Sequence, residues 1–191
     1  MTIMVFDIET VPDFISARKI YNFSNSLSDS DVVKALMAKR RQENGTEFLP
    51  LHLHKIVAIS VVVRSQDWIK VWSLAEENDS EKEIIKRFFH GIDRYTPTLV
   101  SWNGAGFDLP VLHYRSLLHG VQAAKYWETG DNDNNFKWNN YINRYHNRHT
   151  DIMDLLAGFN PRANAPLDEI AQMLGFAGKM GLKGDQVSSK Y

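Results

Sequence analysis

The sequence predicts an α/β domain in which helices flank a β-sheet, and one such domain over residues 1–191. Runs of apolar and β-branched residues with the length of a strand lie just before residue 7, at residues 55–64 and at residues 98–102. Segments with apolar residues at helical spacing separate and follow these runs. A hydrophobic fraction of 43% is enough for a chain of this length to bury one core.

The first strand carries two carboxylates at its end, those of Asp7 and Glu9. Side chains two residues apart in a strand point to the same face, so we expect the two acids side by side. A divalent cation would relieve their repulsion, and hard oxygen ligands select Mg²⁺ or Mn²⁺. The alternative is a solvated strand end, because an acidic pair at this spacing occurs by chance roughly once in such a chain.

Residues 11–50 form a polar, irregular insertion between the first two strands and are a candidate cover for the site. Within the insertion we expect one helix, which begins after capping oxygens near Ser28 and ends at Gly45. Residues 55–64 then predict a central strand, and alternation at residues 68–74 predicts a second strand that completes a hairpin.

The next helix begins at a capping box at residues 80–83 and continues to Tyr95. One face of this helix is apolar, which predicts that it packs against the sheet. The residues of that face are Ile84, Ile85, Phe88, Phe89 and Ile92.

Asp108 lies at a strand–turn–helix junction, the kind of place where open α/β sheets build their sites. The strand at 98–102 leads into a flexible turn at 103–106, and the helix that follows has Pro110 in its first turn and Gly120 just past its end. The alternative is that Asp108 only caps this helix, a common role for aspartate.

Residues 121–148 form a long excursion that contains a loop at residues 130–135. Beyond that loop, aromatic residues alternate with cations, a pattern typical of proteins that stack bases and pair phosphates of a single strand. The alternative is packing within a small hairpin or helix. The residues concerned are Phe136, Lys137, Trp138, Tyr141, Arg144, Tyr145, His146 and Arg148. A short helix is predicted at residues 167–174.

Two further pairs of polar residues are candidate metal ligands. His52 and His54 share a strand face, but no third ligand follows at a suitable spacing, so packing is the favoured interpretation. Asp151 and Asp154 are the remaining candidates for an additional carboxylate.

Residues 7–10 and 103–110 together resemble the first and second motifs of the DEDD 3′–5′ exonucleases. The resemblance is greatest to the exonuclease domain of family-B DNA polymerases and to related stand-alone bacterial proteins. It extends over residues 55–115 and, more loosely, over residues 148–175. It implies a ribonuclease H-like fold with a mixed sheet, two divalent cations (Mg²⁺ or Mn²⁺), and release of nucleoside monophosphates from a 3′ end.

The resemblance also implies roles for individual residues. Asp7, Glu9 and Asp108 would be the catalytic, metal-binding carboxylates, and Asp151 would support the fold outside the site. The residues implied to contact the terminal nucleotide are Ile8, Thr10, Trp102, Asn103 and Phe107.

The family's third motif, a Tyr or His shortly before a fourth metal-binding Asp on a C-terminal helix, has no match up to Tyr191. The stretch around Asp185 resembles what precedes that helix. We therefore expect a chain truncated relative to the family, without the C-terminal helix, and a poor nuclease in this form. The choice between the Tyr and His subclasses of the family stays open.

Composition limits the partners. A net charge of −1 and a pI near 6.7 indicate no extended basic surface for binding a long duplex. They favour weak, transient binding of a few nucleotides at a single-stranded 3′ end, of DNA or RNA. The absence of Cys excludes disulfides and thiolate zinc sites. With no leader and no membrane-length apolar run, we expect a cytoplasmic protein without a membrane partner, and a polymerase or repair protein is a candidate partner.

Two other classes of function compete with an exonuclease. A binding module that keeps the nuclease fold without its chemistry is favoured by the missing fourth carboxylate and opposed by the three that are present. A phosphotransfer receiver domain would need strict alternation of strands and helices, which the hairpin at residues 64–68 contradicts.

Overall fold

The computed structural model describes residues 1–178 and shows a mixed five-stranded sheet flanked by helices, which confirms the predicted fold class. The strands are β1 (Ile3–Pro12), β2 (His54–Arg64), β3 (Ile69–Ser73), β4 (Thr98–Ser101) and β5 (His149–Asp151). Their order in the sheet is β3-β2-β1-β4-β5. Strand β2 is antiparallel to both of its neighbours, β1 and β3, whereas β1, β4 and β5 are parallel.

The helices are α1 (Phe14–Tyr21), α2 (Asp29–Asn44), α3 (Glu81–Tyr95), α4 (Asp108–His119), α5 (Ile152–Leu156) and α6 (Leu167–Met173). The expectation of one helix in the insertion was incomplete, because α1 precedes α2. Asp13 caps α1 by accepting from the Ser16 N–H at 3.0 Å, and the buried Ala17 of α1 belongs to a small core that the insertion builds with Leu53, just before β2. Those tertiary contacts stabilise a helix too short to form alone.

The main core lies between the sheet and the helices α3 and α4. All five residues of the predicted apolar face of α3 are buried, and Ser80 caps that helix by accepting from the Glu83 N–H. Buried residues of β1, β2, β4 and α4 also belong to this core, as do Tyr126, Phe136 and Tyr141 of the excursion. Along β1, the buried Met4, Phe6 and Ile8 alternate with the exposed Val5 and Asp7, so the other sheet face of this strand is accessible to solvent.

The excursion at residues 121–148 consists mainly of turns, so neither a hairpin nor a long helix forms there. The aromatic residues that alternate with cations in its second half divide into two groups. Phe136 and Tyr141 are buried, with the Arg148 guanidinium 3.9 Å from the Phe136 ring centroid and the Tyr141 hydroxyl donating to the Pro97 carbonyl at 2.6 Å. Trp138 and Tyr145 are exposed. Packing thus explains the first pair only.

None of the helices in residues 1–178 is both long and apolar enough to cross a membrane.

His113, on α4, predicts a specific dependence of stability on pH. Burial lowers the pKa of His113 to about 4, and its Nε2 lies 2.9 Å from the Tyr126 hydroxyl. In the unfolded chain the imidazole of His113 is protonated near the ordinary histidine pKa of about 6.5. Stability from the neutral imidazole is therefore complete above that value and is lost as pH falls toward 4. We therefore expect the free energy of unfolding of the wild type to fall by about 3 kcal/mol more than that of His113→Gln between pH 7 and pH 4.

Urea unfolding of both proteins across this pH range measures that difference. The other buried groups, His54, His149 and Asp108, are common to both proteins and cancel in the comparison. A difference in free energy of unfolding that stays constant with pH would contradict the prediction.

Candidate active site

Strand β1 places Asp7 and Glu9 on the sheet face opposite the main core. Met4, Phe6 and Ile8 are buried, whereas Asp7 is exposed and Glu9 is half-buried. The pleat of the strand therefore sets both carboxylates on one face, as the spacing predicts. They lie within the strand rather than at its end, because β1 continues beyond Glu9 and remains paired with β2.

A bulge in β2 follows these carboxylates. Glu9 pairs with Ala58 and Thr10 with Ile56, which leaves Val57 as the extra residue on β2. A bulge bends its strand and increases the local twist, and such bulges are common beside active sites. The irregular pairing therefore begins directly next to the carboxylates.

Asp108 is the first residue of α4 and is joined to β1 by a hydrogen bond. Its side chain is only 3% exposed, and its Oδ1 accepts from the Ile8 N–H at 3.1 Å. Ile8 stands between Asp7 and Glu9 in the chain, so this bond joins Asp108 to the strand segment that bears the other two carboxylates. The alternative of a helix cap is wrong, because the capping position is that of Phe107 and the Asp108 carboxylate bonds to the strand.

The environment of Asp108 opposes its negative charge. Burial, followed by the charge of Asp7, raises the pKa of Asp108 to about 7, against the lowering effect of the Ile8 N–H. A bound cation would remove this penalty, and a pair of carboxylates suits Mg²⁺ or Mn²⁺. The donor chemistry at Asp7 and Asp108 thus fits a divalent ion.

The three predicted ligands do not form a closed cage. Within residues 1–178, no three side chains of His, Asp or Glu are grouped closely enough to hold a metal ion. Mg²⁺ does not need such a group, since it commonly binds through one or two carboxylates and completes its shell with water and substrate phosphate. Asp185 and Tyr191, which bear on the third motif, lie outside the described residues.

The turn at residues 103–106 is held from β5 by Asp151. The Asp151 carboxylate accepts from the N–H groups of Asn103 at 2.8 Å and Ala105 at 2.9 Å, and it also caps α5. This supporting role is the one implied for Asp151 by the family resemblance. Asp154 is bound by Arg144 at 2.6 Å. Both acids thus have partners of their own, and the charge of Asp151 is the smallest of the causes that raise the pKa of Asp108.

Two of the predicted nucleotide contacts, Thr10 and Phe107, meet at His54. The Thr10 hydroxyl lies 2.9 Å from His54 Nδ1, and the His54 ring is 5.1 Å from that of Phe107 in an edge-on arrangement. Phe48, which is mostly exposed, lies 5.2 Å from His54 and 5.9 Å from Phe107. No pattern in the sequence singled out Phe48, because it reaches this place only through the fold of the insertion.

The other predicted contacts have different surroundings. The Ile8 side chain is buried in the main core, and the Ile8 N–H donates to Asp108. Trp102 is half-buried and donates from Nε1 to the Ala165 carbonyl at 3.2 Å. Asn103 takes a left-handed conformation, with φ of 62°, at the start of the turn. His52 packs against Tyr114 rather than forming a ligand pair with His54.

The domain is thus a mixed sheet flanked by helices, with Asp7 and Glu9 on β1 and Asp108 at the start of α4. Residues 46–191 match the model of a family described as "Predicted 3′-5′ exonuclease related to the exonuclease domain of PolB", and the chain belongs to this family. Asp108 lies inside the matched residues, whereas Asp7 and Glu9 precede them.

A solved structure with the same fold is that of the family B DNA polymerase from the hyperthermophilic archaeon Pyrobaculum calidifontis. The TM-score is 0.56 at 16% identity, over 99% of this chain and 20% of the polymerase chain. The present chain thus spans about a fifth of that polymerase. No curated protein matches the chain.

Proposed function

We propose that this protein is a metal-dependent 3′–5′ exonuclease that hydrolyses phosphodiester bonds at the 3′ end of single-stranded DNA and releases nucleoside monophosphates. RNA is the alternative substrate. The single observation that carries the proposal is the hydrogen bond from the Ile8 N–H to the buried Asp108, which joins Asp108 to the strand segment that bears Asp7 and Glu9.

Asp7 and Asp108 would hold the divalent ions, with Glu9 as the neighbouring ligand. The chemistry supplied by two bound ions is activation of a water as nucleophile and stabilisation of the departing 3′ oxygen. Asp108 is oriented for this by the Ile8 N–H, and the turn before it is fixed by Asp151. Preorganised ligands cost little rearrangement when substrate binds.

The terminal nucleotide would lie against Thr10, His54 and Phe107, with Phe48 at the edge. An exposed aromatic side chain stacks on any base, which suits an enzyme that removes nucleotides without regard to sequence. The near-zero net charge of the chain limits electrostatic attraction to a few phosphates, which fits a short single-stranded footprint.

The polarity of attack is a direct prediction. With Mn²⁺, a 5′-labelled oligonucleotide is expected to yield a ladder that shortens from its 3′ end, and EDTA should stop the reaction because the carboxylates need the ions. Gel analysis of 5′- and 3′-labelled strands distinguishes the directions. Early release of a labelled mononucleotide from the 5′ end would reverse the assignment.

A binding module is the second candidate, and the lack of a closed three-ligand group within residues 1–178 favours it. Such a module would bind single strands with the same affinity in Mn²⁺ and in EDTA and would release no mononucleotide. Metal-stimulated release of mononucleotide supports the exonuclease instead.

A further inference from the structure

Two adjoining clefts lie beside the 103–106 turn, toward the excursion. The first has a volume of about 450 Å³ and the second about 290 Å³, and both are lined by Ala105, Arg144, His149 and Asp154. We call the two together the excursion groove. We propose that the excursion groove binds the single-stranded segment of nucleic acid that leads to the 3′ end; this inference rests on the proposed function.

Exposed aromatic side chains line both clefts. Trp127 lines the first cleft, is 49% exposed, and has its ring 4.7 Å from that of His113. Tyr145 lines the second, is 69% exposed, and has its ring 5.0 Å from that of Phe159. The neighbouring rings hold Trp127 and Tyr145 in place while leaving much of each accessible. Bases stack on such preorganised aromatic surfaces whatever their sequence.

Arg144 lies where the clefts meet and supplies the cation. Its guanidinium is 5.7 Å from the Tyr145 ring centroid and 5.5 Å from that of Phe159, and one of its nitrogens binds Asp154. A guanidinium has five N–H donors, so the contact with Asp154 leaves donors for a phosphate oxygen. A base stacked on Tyr145 would thus place its phosphate near Arg144.

The chemistry of the lining favours nucleic acid over an apolar peptide. The carboxylates of the lining are already engaged, that of Asp154 by Arg144 and that of Asp151 by backbone N–H groups. Besides Arg144, Asn103 and Asn164 line the first cleft and Asn147 lines the second. An apolar partner would bury these polar groups without hydrogen bonds, which costs free energy. Sugar and phosphate oxygens and base edges provide the partners that these groups need.

The excursion groove borders the turn that leads into the candidate active site. Asn103 and Gly106 line its first cleft, and the same turn leads into Asp108. Asp151, which fixes this turn through Asn103 and Ala105, lines the second cleft. A strand in the groove would therefore enter the site across the turn that positions Asp108.

The test is the affinity for 5′-fluorescein-labelled oligothymidylates of different lengths, measured by anisotropy in EDTA so that cleavage does not interfere. Trp127→Ala and Tyr145→Ala are each expected to weaken binding of a decanucleotide about tenfold, within the range for loss of one base–aromatic stack. Binding of a dinucleotide, which occupies only the terminal site, should not change. Tyr145→Phe keeps the ring and should bind as the wild type does.

Trp138→Ala is the matched control, because Trp138 belongs to the same excursion, is 80% exposed, and lines neither cleft. It should bind the decanucleotide with unchanged affinity. Equal losses for the dinucleotide and decanucleotide, or no loss in either alanine variant with a wild-type melting temperature, would overturn the inference. A loss of decanucleotide affinity in Trp138→Ala as large as that in Tyr145→Ala would also overturn the inference.

Cleavage in Mn²⁺ separates this inference from the proposed function. If neither the wild type nor any variant releases mononucleotide, but the alanine variants show the length-dependent loss of affinity, the proposed function is wrong and the excursion groove is supported. If cleavage proceeds and both alanine variants keep the wild-type affinity and KM for the decanucleotide, the excursion groove fails and the proposed function stands.

Discussion

Asp7→Asn is expected to remove Mn²⁺ binding and to lower cleavage by several orders of magnitude. Asp7 is the exposed carboxylate whose charge acts on the buried Asp108, so one substitution removes an oxygen ligand and half of the paired charge that attracts the cation. In a two-metal phosphodiesterase the bound ions serve both the nucleophile and the leaving group, so their loss affects both.

Calorimetry with Mn²⁺ on the wild type and on Asp7→Asn measures the first effect, and mononucleotide release measures the second. Asp67→Asn is the control, because Asp67 is an exposed aspartate at the distant β2–β3 turn and should behave as the wild type. Equal Mn²⁺ affinity in the wild type and Asp7→Asn would refute the site assignment.

The same variant distinguishes loss of a ligand from loss of the fold. Asp7 raises the pKa of Asp108, and removal of its charge relieves that repulsion. In metal-free buffer we therefore expect Asp7→Asn to melt at the same temperature as the wild type or higher. A lower melting temperature would mean that Asp7 acts mainly through structure.

Arg115→Met is expected to lower the free energy of unfolding by about 3–5 kcal/mol, the usual result of leaving buried charges unpaired. Arg115, whose side chain is 4% exposed, binds the carboxylates of Asp13 and Glu81, which are equally buried. Glu81 also accepts from the Ile56 N–H at 2.7 Å and lies 2.7 Å from His119 Nε2. These contacts join α3 and α4 to β2 and to the insertion.

Urea unfolding of Arg115→Met checks the magnitude. Arg87→Met is the control, since Arg87 forms a partly exposed ion pair with Asp79, with side chains 37% and 16% exposed, and should have a smaller effect. Adding Glu81→Gln to Arg115→Met should recover part of the stability, because one uncompensated charge is removed. An equal loss in the Arg115 and Arg87 variants would show that the buried network contributes no more than a surface pair.

Local patterns in the sequence determined most of the secondary structure and the relation of Asp7 to Glu9. The apolar face of α3, its cap at Ser80 and the end of α4 at Gly120 follow from helical period and capping chemistry, which act over a few residues. The common face of Asp7 and Glu9 follows from the strand pleat. Such features are predictable because the interactions that produce them lie within one element.

The tertiary structure alone decided which residues meet across elements. It bound Asp108 to the Ile8 N–H rather than leaving it as a cap, brought Phe48 and His54 beside Phe107, and paired Arg115 with Asp13. It also divided the aromatic residues of the excursion into a buried and an exposed group. These outcomes depend on contacts between residues as much as 102 positions apart. Local period and composition carry no signal for such contacts, because the packing of the whole core sets their geometry and burial.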